Sequence, residues 1–174
     1  MAGNNGNRLR IAIWGLAAGL FLLPLVAMQF TDEVVWTAFD FVFWGVMLLV
    51  ACGVYEVATR ISPSRWYRAG VGAAVVGGFL VLWVNAAVGM IGNEDNAYNL
   101  LFLVAILVGA IGALGAWFKP AGMARALYAT AAVHGLVSVV ALVAGWDMRG
   151  AVFSLFFVLP WLLSAGCFRQ AARE

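Results

Sequence analysis

Long apolar runs alternate with short polar breaks along this chain, and the length of the runs decides what they are. They occupy approximately Ile11–Phe30, Val34–Ala58, Ala69–Ile91, Tyr98–Phe118, Ala124–Gly145 and Ala151–Phe168. At ~1.5 Å of helical rise per residue, runs of this size span the ~30 Å hydrocarbon core of a bilayer. Backbone in lipid must satisfy its own hydrogen bonds, so such runs are predicted helices. The polar breaks include Thr31-Asp32-Glu33, the stretch from Arg60 to Arg65, and Gly92-Asn93-Glu94-Asp95-Asn96. The sixth run is the shortest and contains Pro160. The first exceeds the ~7–15 residues of a signal-peptide core and no clear A-x-A site follows, so it reads as a retained helix.

The pattern predicts an all-α, polytopic membrane protein. It would be one transmembrane domain over residues 1–174, a six-helix bundle made of three helical hairpins. Composition agrees: 65% of residues are hydrophobic and only 10% are charged. Soluble domains carry about 25% charged residues. The mean hydropathy of +0.98 points the same way.

Charge placement sets the expected orientation. With six spans, Arg8, Arg10, Arg60, Arg65, Arg68, Lys119, Arg125, Arg169 and Arg173 fall on one side, and Arg149 is the sole basic exception. The positive-inside rule makes that side cytoplasmic, with both termini there. The acids Asp32, Glu33, Glu94, Asp95 and Asp147 fall on the opposite side, one group per hairpin tip. Trp36 and Trp146 then lie at outer span ends, and Trp66 and Trp117 at inner ones, as interfacial rings do. Small residues recur four apart at Gly15/Gly19, Gly70/Ala74/Gly78 and Ala105/Gly109/Ala113. Such stripes let helices approach closely, within the chain or against a second copy or another membrane subunit.

The motifs Met28-Gln29-Phe30-Thr31-Asp32-Glu33-Val34, Trp36-Thr37-Ala38-Phe39-Asp40-Phe41 and Gly92-Asn93-Glu94-Asp95-Asn96 resemble a group of small multi-pass membrane proteins of proteobacterial genomes. The likeness covers the first two spans and the stretch from Trp83 to Arg125. It implies a bacterial inner-membrane setting and carries no activity over.

Ionisable and polar groups inside a span are the candidate sites, because they are costly there. Asp40 would lie roughly 9 Å below the outer boundary at helical rise. Asn85 is expected at similar depth. His134 is central to the fifth run, with Thr130 and Ser138 one turn to either side on the same face. Asp40, Asn85 and His134 could form a proton or cation relay. The plainer alternative bonds Asp40 to Thr37 or to a neighbouring helix and makes His134 an interhelical donor. Glu56 is expected to pair with Arg60 four residues on. The outer acids have no ordered ligand spacing, so no metal is assigned to them, and Met28, Met90 and Met148 read as apolar filler.

Enzyme readings find little support. Cys52 and Cys167 belong to no CxxC or Cys/His cluster. HExxH, GxSxG and Walker patterns are absent, one histidine excludes bis-His haem, and Ser154 and Ser164 have no visible base. The expectation is therefore no cofactor and no nucleic-acid partner, with an intramembrane enzyme a remote third class. A transporter or channel for protons, cations or a small solute leads, and a non-catalytic accessory or scaffold subunit follows.

Overall fold

The computed structural model describes residues 2–174, with side chains from Arg8 onward except that of Leu9. Among the described residues it contains helices and no strands. Six helical stretches are long and apolar enough to cross a membrane: Arg10–Ala27, Ala38–Ile61, Arg65–Ala87, Ala97–Gly115, Pro120–Val143 and Met148–Ala171. The chain forms two compact units, Met1–Val57 and Ala58–Glu174.

The first unit holds α1 (Ala2–Ala27) and most of α2 (Ala38–Ile61). Pro24 lies inside α1 and has no N–H, so the carbonyl of Leu20 loses its intrahelical donor. The Trp44 indole N–H of α2 supplies one at 3.0 Å. Gly45 lets Phe21 approach, since a Cβ there would sit 3.0 Å from the ring. At the other end, the guanidinium of Arg10 grips Glu56 with two contacts, Nε to Oε2 at 2.7 Å and Nη2 to Oε1 at 2.5 Å. This Arg10 contact, from 46 positions away, is one that the sequence reading of Glu56 does not include.

The second unit is built from α3 (Arg65–Ala87), α4 (Leu100–Gly115), α5 (Pro120–Val143), α6 (Met148–Ser154) and α7 (Val158–Ala171). α7 packs against both α3 and α5, and α5 packs in turn against α4. Ser64 caps α3 by accepting from Tyr67 N at 3.1 Å, and Pro120 opens α5, where a missing N–H does no harm. The small-residue stripes of α3 and α4 do their work here. A Cβ on Gly70 would meet the Phe168 ring at 3.1 Å, and one on Gly109 would meet Thr130 Oγ1 at 2.8 Å.

Pro160 is felt upstream. It removes a donor from the preceding turn, and the helix passes through a 3-10 turn at Leu155–Phe157 between α6 and α7. Val158 N–H then bonds Leu155 O rather than Ser154 O, which frees the Ser154 carbonyl.

Two turns close this unit at opposite ends. The 88–96 connection wraps around Asn99, whose Oδ1 accepts from Met90 N and Ile91 N at 2.9 and 2.8 Å, while Nδ2 donates to Asn93 O at 2.7 Å. Gly89 makes the wrap possible with φ +75°; a Cβ there would lie 2.3 Å from Asn93 O. After α4, Trp117 and Phe118 are both left-handed, with φ 48° and 57°. That conformation costs roughly 1–2 kcal/mol per non-glycine residue. Phe118 N–H bonds back to Ala113 O at 3.2 Å, and Phe118 O accepts from the Tyr67 hydroxyl at 3.1 Å.

Candidate functional site

The interior of the second unit centres on His134, which is fully buried. Its Nε2 lies 3.1 Å from Ser154 O, the carbonyl at the end of α6, which Val158 N–H passes over for Leu155 O. A carbonyl only accepts, so Nε2 carries the proton. Nδ1 then accepts from the Trp161 indole N–H at 3.4 Å. The pattern fits the neutral ring with its hydrogen on Nε2. Phe102 and Phe157 flank it, with centroids 4.9 and 6.5 Å away.

One turn on, Ser138 Oγ reaches His134 O at 3.0 Å, and Ser154 Oγ reaches Ser138 Oγ at 2.7 Å and Ala151 O at 2.8 Å. One turn back, Thr130 donates to Ala126 O at 3.0 Å, against a face that Gly109 leaves open: a Cβ there would meet Thr130 Oγ1 at 2.8 Å. Ser164, also buried, donates to Gly70 O at 2.7 Å and ties α7 to α3.

Thr130, His134 and Ser138 therefore share one face, turned into the protein. Asn85 is not among the partners of His134. Its Nδ2 donates to Val81 O at 2.8 Å, and its Oδ1 is buried with no hydrogen-bond partner.

Asp40 belongs to the other unit and occupies the first turn of α2, because that helix starts at Ala38 rather than Val34. Its Oδ2 accepts from Thr37 N at 2.7 Å and Thr37 Oγ1 at 2.8 Å, while Asp40 N–H points to Thr37 Oγ1 at 3.4 Å. This is a capping box, with Asp in the place of the usual Glu or Gln.

The acids between the spans separate in role. Asp32, Glu33, Glu94 and Asp95 are exposed. Asp147 caps α6 through Arg149 N at 3.1 Å and holds the 88–96 turn through Gly92 N at 3.0 Å. The Gly92 N–H foremost, then that of Gly150, holds its carboxyl below the ordinary carboxylate range. Tyr98 stacks on Trp146 beside it at 3.8 Å. No group of three or more His, Cys, Asp or Glu among the described residues could hold a metal ion. The cysteines are free thiols, Cys52 buried and Cys167 half-buried.

Sequence reasoning missed Trp161 and the role of Ser154 as a partner of His134, and it missed Asn99. A signal existed for the first two: they lie seven apart in the last run, two helical turns on one face, and so can meet a polar stripe on a neighbouring helix.

Fold and residues together define an all-α protein with six membrane-length helices and a histidine-centred polar core. Compared with protein-family models, with curated proteins and with solved structures, the chain matches none.

Proposed function

We propose that the protein is an accessory or scaffold subunit of a bacterial inner membrane, acting by packing against another membrane protein rather than by catalysis or conduction. The observation that carries this reading is the closure of the polar core. His134, Ser138, Ser154, Thr130 and Ser164 are all fully buried, and each is bonded to another protein group. Groups on an ion or proton path line water or relay to one another along a route. These close on each other and on helix carbonyls.

The α1–α2 hairpin supports the same reading from its surface. It carries an apolar groove of about 310 Å³ lined by Trp14, Ala17, Ala18, Phe21, Gly45, Leu48 and Leu49. Gly15 and Gly19, one turn apart, have open space where a Cβ would stand, which suits close approach of a foreign helix. Charge sorting supports an orientation with both termini in the cytoplasm.

A second reading, transport of protons, cations or a small solute using Asp40, Asn85 and His134, has one observation in its favour. Asn85 Oδ1 is a buried acceptor without a donor, and such a group is where a solute would bind. Reconstitution into liposomes under a pH gradient separates the two. Wild-type flux no greater than that of empty liposomes, with a stoichiometric companion retained in native-lipid particles, supports the accessory role. Flux that disappears in Asn85→Leu would establish transport instead.

A further inference from the structure

We propose that the end of the second unit around Tyr67 binds the headgroup of an anionic glycerophospholipid, a property separate from the accessory role and resting on different residues. Three segments far apart in sequence meet at this side chain. Its hydroxyl donates to Phe118 O at 3.1 Å, and its ring packs edge-on to Phe168 with centroids 5.2 Å apart. Gly70 admits Phe168, since a Cβ there would stand 3.1 Å from the ring. Tyr67 itself is buried.

Each segment carries an exposed cation next to the contact. Arg65 precedes Tyr67 by two residues, Lys119 follows Phe118, and Arg169 follows Phe168. Among the described residues none of these three forms an ion pair. The acids Glu94, Asp95 and Asp147 lie at the far end of the helices, where Gly92 bonds Asp147. Of the acids in this unit, only Glu174, the last residue, is at the cationic end. The fold thus gathers three cations from three places at an end that holds a single acid of this unit.

The neighbouring rings specify the rest of the ligand. Trp117 is 82% exposed on its two-residue left-handed turn, just past the end of the fourth span. Trp66 is exposed in the first turn of the third span, with the Arg65 guanidinium 5.4 Å from its ring centre. Cations that take a phosphodiester, set beside indoles that prefer the boundary between headgroup and chain, fit an anionic lipid. A free phosphate would leave the indoles unused.

The test measures retention of phosphatidylglycerol against phosphatidylcholine by the purified full chain in mixed micelles, read by native mass spectrometry. Each cation at an anionic surface is worth about fivefold in binding. Wild type should prefer phosphatidylglycerol. The triple change Arg65→Gln, Lys119→Gln, Arg169→Gln should cut that preference by about a hundredfold, while Arg149→Gln at the other end leaves it unchanged. If the triple variant loses its helical fold, the three single variants carry the test, each expected to lose about fivefold. Equal retention of both lipids by wild type overturns the proposal, as does a preference that survives the substitutions. Displacement of the lipid by inorganic phosphate alone would make this a phosphate site and overturn it too.

Discussion

The indole N–H of Trp161 donates to Nδ1 of His134 at 3.4 Å, and the ring proton on the opposite nitrogen goes to Ser154 O at 3.1 Å. Both nitrogens are used by the protein, and they are used by different turns of the sixth span. His134 thus fastens α5 to α6 and α7 together.

Nitrogen-15 spectra of the labelled histidine should show the neutral form with hydrogen on Nε2. Replacement by leucine leaves the Trp161 donor and Ser154 acceptor unpaired in the interior. The expected loss is about 1–3 kcal/mol in reversible unfolding in bicelles, with insertion retained. Wild-type-like stability of His134→Leu would remove the fastening role.

The Arg10–Glu56 pair makes a prediction about asymmetry. The Glu56 side chain is 13% exposed and that of Arg10 43%. Losing the arginine removes a charged partner from the more buried of the two groups, so Arg10→Gln should destabilise the α1–α2 hairpin. A double-mutant cycle with a coupling of about 0.5–3 kcal/mol is the expected result.

Asp147 gives a pH dependence with a definite sign. Its carboxyl titrates below the ordinary value of 3.8 in the folded chain. The stability it contributes is therefore complete above that value and is lost as pH falls through the lower, folded one. Asp147→Ala should cost about 1–2 kcal/mol at neutral pH and flatten the acid limb of the unfolding curve. Loosening of the 88–96 turn should appear in hydrogen exchange at Gly92.

Trp117 sits where glycine is the steric default. Trp117→Gly should raise stability in detergent by about 1 kcal/mol, yet weaken retention of phosphatidylglycerol. Thermal melts and lipid retention on the same samples measure both.

The proposed orientation is tested by thiol labelling in intact cells, with Cys52 and Cys167 removed. A cysteine at Glu94 should react with an impermeant reagent, and one at Ser64 only after lysis. Reaction at position 64 in intact cells reverses the topology.

The helices were legible in the sequence because length and apolarity alone identify a span; their ends were not. α2 begins at Ala38 because Thr37 and Asp40 cap it, which moves Asp40 from inside the predicted span to its rim. α3 begins at Arg65, four residues before the apolar run, because Ser64 caps it. It stops at Ala87 because the chain turns at Gly89. These are hydrogen-bond and dihedral decisions, which hydrophobicity does not record.

The site divides the same way. Four-residue spacing places Thr130, His134 and Ser138 on one face, and all three are buried. The main partner of His134 is a backbone carbonyl at the end of α6, just before the 3-10 turn, a consequence no residue pattern spells out. The small-residue stripes were likewise visible but not their use. Gly70 and Gly109 receive neighbours inside the fold, while Gly15 and Gly19 have open space.

Ser138 and Ser154 bring two hydroxyl hydrogens to a row of oxygens that runs from His134 O through both side chains to Ala151 O. With Ser138 donating to His134 O, Ser154 donates to Ser138 and Ala151 O goes without. With Ser154 donating to Ala151 O, the Ser138 hydrogen turns to Ser154 and His134 O goes without. The two arrangements differ by rotation about two C–O bonds and by no heavy-atom displacement. The Ser138–Ser154 pair is therefore a dipole with two orientations, aligned between two helices and free to answer the local electric field.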